Sequence, residues 1–528
     1  MKIKTISIIG GGSSGWMTAA ALSKLCPHVD ITLVESPTIK TIGVGESTLG
    51  HITKFLDLLD LKDNEWMKHC NATYKNGIRF TNFADENSGS FYYPFSLGFD
   101  TTYAPNGLLT WPELATVFPK IFTPNTFAEF YAGSNTFLCK FNKQTNNARG
   151  LLPHYDFHWD TAYHVDASLF GKFLKDSIAL PNGVKHIFGN VENMSKDNYG
   201  NLEHLCLDSG IIITSDLFID CTGFSSLLLE NFMQQKFISF DEYLLNDRAW
   251  ACKINYDDPD QEMHNYTDCT AIENGWVWHI PLYNRIGTGY VYSSKFVDDT
   301  DALQEFKKHL YTTGSKERVD NTDFSNISIK HGRRELAWVK NVVGVGLSYG
   351  FIEPLESTGL LTTHENIIKL VDILNRRNGG VSQLEIDAFN FSVENEIHKF
   401  RDFVSMHYSL SLRTDTHYWK HISQGMPFYP DKFQQMYSNL VGTMSTNFNW
   451  LADFPPALFI AAGMGLRPQS IAEMVLNKNI WGASKIEKLE IIKNKYLAHK
   501  SNLLKTINLL PSHHSFLKNT IYNNESKF

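Results

Sequence analysis

The chain has 528 residues, enough for two or three domains' worth of core, and its 43% hydrophobic and 20% charged content is that of an ordinary globular protein. A net charge of −8 without a basic stripe argues against a nucleic-acid-binding role. Seven scattered cysteines with no CxxC pair argue against a disulfide framework or a zinc cluster and fit a reducing, cytoplasmic compartment, and no apolar run reaches the ~18 residues of a membrane-spanning helix.

The N-terminal stretch KIKTISIIGGGSSGWMTAAALSKL predicts strand, glycine turn and helix. Ile6, Ile8 and Ile9 make a short buried strand, and Trp16, Ala19, Ala20 and Leu22 follow at helical spacing. DITLVES, Asp30 to Ser36, is the next strand and completes a βαβ unit. Because Ile3 to Ile9 runs straight into the glycines, this segment is not a simple signal peptide. Phe83 to Gly107 is loop-rich and aromatic, a candidate cover for a substrate site. Far downstream, SDLFIDCTGF (Ser215 to Phe224) is an apolar strand entering a Thr-Gly turn. NVVGVGLSYGFIEPLESTGL (Asn341 to Leu360) is a Val/Gly strand entering a loop, with a helix from about Leu361. One nucleotide-binding sheet is thus expected from three distant segments. The insertions between them alternate like strands, as in Trp276 to Ser293. Within that insertion GWVWHIP places Trp276 and Trp278 on one face of a strand that Pro281 ends. Two such indoles fill a core or wall a flat cavity. From Gln383 the chain is mostly helical, and the polar last residues are expected to fray. The expected division is a core at 1–382 and a mainly helical, substrate-covering region at 383–528.

Gly10, Gly12 and Gly15 form GxGxxG between strand and helix. The first allows the tight turn, the second lets a pyrophosphate approach the backbone, and the third lets helix and strand pack closely. Ser13 and Ser14 open the helix, whose free N–H donors and partial positive charge favour phosphates. Glu35, at the end of the second strand, is placed to accept ribose hydroxyls. The motif alone does not separate NAD from FAD; the widely split sheet favours an FAD-type α/β fold.

GGGSSGWMTA, IGVGES (Ile42–Ser47), YHVDASLFGKFL (Tyr163–Leu174), DLFIDCTGF, GWVWHIP, FIEPLESTGL (Phe351–Leu360) and RDFVSMHY (Arg401–Tyr408) together resemble the flavin-dependent halogenases related to tryptophan halogenases. The resemblance covers roughly residues 1–420. It implies an FAD-binding Rossmann-like fold with a β-rich insertion and a helical C-terminal region. It implies that reduced FAD, O2 and halide give hypohalous acid, which passes through a tunnel to a lysine beside an electron-rich ring. By this resemblance Lys75 is that lysine, Glu356 polarises the acid or takes the ring proton, and Thr358 and Gly359 hold the halide. The cofactor contacts it implies are Gly10, Gly12, Ser13, Ser14, Gly15, Glu35, Val44, Ser47, Val191, Leu347 and Leu360. Trp276 and Trp278 become the tunnel wall that keeps the organic substrate from the flavin.

Arg79, four residues from Lys75, stays protonated and is unsuited to carry halogen. Glu353 is the competing acid, expected to bond locally around Pro354. No second dinucleotide fingerprint is visible, so a separate NAD(P)H-dependent flavin reductase is the expected source of FADH2. The C-terminal stretch Phe433 to Pro468 lacks the Tyr-Tyr-Glu run that clamps tryptophan in the family. Its neighbourhood offers Tyr429, Phe433, Tyr437, Phe448, Trp450 and Phe454 for a flat ring instead. The expected substrate is therefore a small indole- or phenol-like aromatic other than free tryptophan, turned over by a chain that associates with neither membrane nor nucleic acid and has the option of homo-oligomerising. An FAD-dependent aromatic monooxygenase on the same fold is the competing reading.

Overall fold

The computed structural model describes residues 1–39, 45–96, 100–425, 456–465 and 478–523. They form two units, each assembled from three separated segments. The first is Met1–Thr73, Tyr163–Asp247 and Ser328–Arg401; the second is Tyr74–Ala162, Arg248–Ile327 and Asp402–Phe528. The position after residue 382 lies within the third segment of the first unit.

The first unit carries a six-stranded sheet in the order Trp338–Val339, Val342–Gly344, Leu217–Asp220, Thr5–Ile9, Asp30–Glu35, Lys185–Phe188. All neighbours are parallel except the antiparallel edge strand Trp338–Val339. Ile6, Ile8 and Ile9 are buried, as strands covered on both faces require. Helix Ser13–Leu25 is also buried almost all round, its alanines letting it lie between helices Ala167–Leu174 and Thr358–Arg376. The nucleotide sheet therefore does come from three distant segments. The helix after the third segment's strand begins at Thr358, three residues earlier than the sequence pattern placed it.

The second unit is built on a seven-stranded sheet: Phe324–Ser328, Arg248–Ile254, Ile286–Tyr292, Gly275–Pro281, Thr267–Ile272, Gly77–Thr81, Ser90–Pro94. Gly275–Pro281 and Ile286–Tyr292 form an antiparallel hairpin that closes at Pro281 and Ile286. Alternation separates the faces. Val277, Tyr290 and Tyr292 pack on Ala302, Phe306 and Leu310 of helix Asp299–Thr313. Trp276 and Trp278 take the opposite face. FYYP, expected in a loop, is instead an edge strand: Phe91, Tyr92 and Tyr93 pair with Phe80, Arg79 and Ile78. The C-terminus is not frayed where it is described. Leu517 and Ile521 are buried, and Tyr522 stacks on Tyr283 with ring centroids 3.4 Å apart. None of the seven cysteines is in a disulfide. No described helix is long and apolar enough to cross a membrane.

Candidate active site

Two glycines of the N-terminal loop have no room for a side chain. Gly10 sits at φ +114°, and a Cβ there would lie 2.3 Å from the Cys221 carbonyl oxygen. A Cβ on Gly15 would lie 1.9 Å from the Gly10 oxygen. Gly12 differs: a Cβ there would meet nothing within 4 Å, so its open side faces space at the start of helix Ser13–Leu25. That gap beside unsatisfied helix N–H groups fits a pyrophosphate. Glu35 ends the adjacent strand with its side chain against Gly11. His186 Nε2 lies 2.8 Å from Glu35 Oε2, and its ring sets edge-on to Trp16 at 5.0 Å. Burial, more than any neighbouring charge, lowers the His186 pKa. Val191 follows Gly189, whose N–H donates to the Glu35 carbonyl, so it lies by the same strand end. Val44 lies outside the described residues.

The 342–360 segment turns back toward this loop. Gly346, at φ +71°, approaches so closely that a Cβ would be 2.5 Å from the Ser14 hydroxyl. Leu347 follows, and with Thr358, Gly359, Thr362, Phe351 and Ile352 it lines a cavity of about 20 Å³. That is room for one water-sized particle. A Cβ on Gly359 would meet nothing within 4 Å. Thr358 and Gly359 are the first two residues of a 19-residue helix, so their N–H groups are among its free donors. Leu360 is buried at the next position. The turn before the helix holds a non-glycine residue in the left-handed region, Ser357 at φ 58°. Its hydroxyl donates to Ser47 Oγ at 3.0 Å. Glu356 is fully buried immediately before it. Glu353 accepts from the amide of Asn246 at 3.0 Å, a partner 107 positions away.

Asp220 escaped the sequence reading. It is buried at the end of Leu217–Asp220, and its carboxylate accepts from Thr222 N and Oγ1 and from the N–H groups of Leu228 and Leu229. Burial raises its pKa against those bonds. An acid two residues before the Thr222-Gly223 turn was the available signal.

In the second unit Lys75 is fully buried, with Nζ 4.7 Å from the centre of the Phe95 ring. It precedes strand Gly77–Thr81, which pairs with Thr267–Ile272, which in turn pairs with the tryptophan strand. Trp276 is 0% and Trp278 7% exposed, their rings 6.1 Å apart and tilted by 56°. Gly289 opposite Trp278 leaves the space that indole needs, since a Cβ would come within 2.2 Å of it. Arg79 is occupied elsewhere: its guanidinium is bidentate to Asp268, which faces it across the strands, and Asp268 is held below the usual carboxylate range by that pair against its burial. The glycine loop, Glu35, Ser47, Leu347, Glu356, Thr358 and Gly359 thus belong to the first unit, and Lys75, Trp276 and Trp278 to the second.

A parallel sheet split among three segments, with a glycine cradle opening its first helix, defines a dinucleotide-binding α/β enzyme core. The family model for tryptophan halogenases matches residues 5–479. The chain is 32% identical to tryptophan 7-halogenase RebH of Lentzea aerocolonigenes, covering 98% of each. It is 35% identical to tryptophan 6-halogenase SttH of Streptomyces toxytricini, covering 79% of this chain and 80% of that one. Among solved structures, apo VirX1 superposes with a TM-score of 0.92 at 48% identity over 99% of this chain and 100% of that one. The flavin-dependent halogenase Xcc4156 of Xanthomonas campestris does so with 0.83 at 28%, covering 99% of each. The chain belongs to the tryptophan halogenase family. It is a flavin-dependent halogenase whose cofactors are FADH2 and a halide ion, and enzymes of this kind generally need a separate flavin reductase.

Proposed function

We propose that this enzyme halogenates a small electron-rich aromatic, indole- or phenol-like and other than free tryptophan, with hypohalous acid guided by Lys75. The observation that carries this is the complete burial of Lys75 beside an aromatic ring. A lysine is seldom fully buried, and buried lysines recur at catalytic positions.

The cradle at Gly10, Gly12, Ser13, Ser14 and Gly15 holds the pyrophosphate of FAD, Glu35 its ribose, and Ser47, Val191, Leu347 and Leu360 contact the rest. Bound and reduced, FAD supplies the electrons that activate O2 against halide. The N–H donors of Thr358 and Gly359 hold the halide in the cavity they line. Trp276 and Trp278 wall the passage, so that only the small hypohalous acid travels. Lys75 holds that acid by hydrogen bond or as a haloamine, which sets the halogen beside one ring carbon. Glu356 polarises the acid or accepts the ring proton: the C–H bond breaks, the C–X bond forms, and hydroxide with that proton leaves as water. A separate NAD(P)H-dependent reductase supplies FADH2. The exclusion of free tryptophan rests on the sequence at 433–468. The ring-binding candidates in and beside that stretch, Tyr429, Phe433, Tyr437, Phe448, Trp450 and Phe454, all lie outside the described residues.

The test is an in vitro panel of aromatic substrates with FAD, a reductase, NADH and each halide, read by mass spectrometry. Halogenated indoles or phenols are expected, and hydroxylated product would instead favour a monooxygenase. Lys75→Ala is expected to abolish aromatic halogenation while FAD still binds. Full turnover by that variant would refute the role given to Lys75.

A further inference from the structure

Lys75 ends a short strand, Thr73–Lys75, and the next strand starts at Gly77. The single residue between them, Asn76, is fully buried and makes four hydrogen bonds. Its backbone N–H donates to the Asn265 carbonyl at 2.7 Å, and its own carbonyl accepts from the Phe95 N–H at 2.9 Å. Its side-chain amide donates to Gln144 Oε1 at 2.6 Å, and its side-chain oxygen accepts from the Thr161 hydroxyl at 3.2 Å. Each partner is itself fixed. Gln144 also accepts from Asn265, and Asn265 donates to the Lys143 carbonyl. Thr161 meets the Tyr155 hydroxyl at 3.1 Å. Gly77 then passes so near Tyr93 that a Cβ would sit 2.6 Å from its carbonyl oxygen.

Phe95 closes the circuit. Its ring lies under the Lys75 ammonium at 4.7 Å, its N–H is held by Asn76, and its carbonyl accepts from the amide of Asn135 at 2.8 Å. One residue thus serves both: the Asn76 side chain ties down the backbone that carries Lys75, and the Asn76 carbonyl holds the N–H of the residue whose ring lies under Lys75. Each of the four polar atoms of Asn76 makes a hydrogen bond, and such a buried residue resists displacement because each lost bond leaves a buried polar atom without water.

We propose that Asn76 is the positioning residue of Lys75. It does not touch substrate. It holds Nζ where hypohalous acid is captured and handed on, rather than released. This rests on the role given to Lys75 above. Loosening the anchor should leave the making of hypohalous acid intact and spoil its delivery, since a displacement of ~1 Å can lower a rate by about 100-fold.

The readout is a partition. With FAD, reductase, NADH, halide and a substrate found active in the panel, aromatic product is quantified alongside hypohalous acid trapped by added free methionine as its sulfoxide. Catalase is present to remove hydrogen peroxide. Asn76→Ala is expected to shift the product-to-sulfoxide ratio toward sulfoxide by on the order of tenfold or more, at unchanged total oxidant. Substrate KM should change less than kcat, and FAD binding should be retained. Gln144→Leu, which removes the acceptor from the other end, should give the same direction. Thr161→Val, the mildest cut, serves if Asn76→Ala does not fold, and it too should shift the ratio. Lys75→Ala runs in parallel: if it keeps full aromatic turnover, the lysine's role fails. If Lys75→Ala is inactive on the aromatic but the folded anchor variants keep the wild-type ratio, the positioning role fails. A uniform fall of product and sulfoxide together also overturns it, because that marks general damage.

Discussion

Gly359 shows how a backbone site is tested without unfolding the protein. A Cβ there meets nothing within 4 Å, so a side chain enters the small cavity rather than the packed interior. Valine is no worse than glycine in a helix, by roughly 0.3–0.5 kcal/mol in its favour. Gly359→Val should therefore fold, bind FAD and fill the halide space, so that halide-dependent product formation is lost. An unchanged dependence of rate on halide concentration would refute the anion site. At this scale the sequence carried the residues whose spacing is local. GxGxxG announces its own geometry because the turn, the approach and the helix start lie within six residues. His186 on Glu35, Asn246 on Glu353 and Asp220 under residues 222–229 were not readable, because the first two pairs join residues 151 and 107 positions apart and the third depends on a turn whose shape the pattern leaves open. Asn76 escaped for the same reason: its partners at 144, 161 and 265 come together only in the folded sheet.

At the scale of elements, the pairing of the strands at 276–292 as a hairpin is seen only in the structure, whereas the βαβ start and the strand character of those residues followed from apolar runs and alternation, which depend only on near neighbours. FYYP did not, since three adjacent aromatics show no alternation, and the strand exists by pairing with Gly77–Thr81. The long C-terminal helix Lys478–Asn508 was also underread. It docks through two buried acids as well as apolar contacts: Lys485 reaches Glu113 at 2.7 Å, and Lys500 joins Lys140 on Glu129. Glu129 is 4% exposed and so depends on these lysines for its solvation. Glu129→Gln should lower unfolding stability by about 1–3 kcal/mol in urea titration. Glu490→Gln, at the exposed end of the Lys493 pair on the same helix, should change it by less than ~1 kcal/mol. Equal effects of the two would mean that Glu129 plays no special part in docking that helix.

At the scale of the whole molecule, buried titratable groups set how stability responds to acid. Burial lowers the pKa of His264 to about 4 and of His279, His364 and His513 to about 3, from an ordinary 6.5. Each stays neutral when folded but takes a proton when unfolded below pH 6.5. The unfolded state then binds more protons, so each histidine's contribution is present above pH 6.5 and is lost as pH falls toward 3–4. Glu46 acts oppositely. Burial raises it from 4.5 to about 7, so its contribution is full below pH 4.5 and is lost as pH rises through 7. Between pH 4.5 and 6.5 four histidine protons oppose one from Glu46, which leaves a difference of three. At ~1.4 kcal/mol per proton and pH unit, these five groups together lower stability by at most about 4 kcal/mol for each unit of acidification in that window. Urea unfolding from pH 7.5 down to 5 should show the midpoint dropping steeply once pH passes 6.5. His279→Gln, which takes one partly buried imidazole from the face opposite the tryptophans, should make the slope shallower by one proton. Glu46→Gln should make it steeper by one. A midpoint that stayed level from pH 7.5 to 5 would mean that these imidazoles are charged in the folded protein, and that the face of the sheet behind Trp276 and Trp278 is wet rather than sealed.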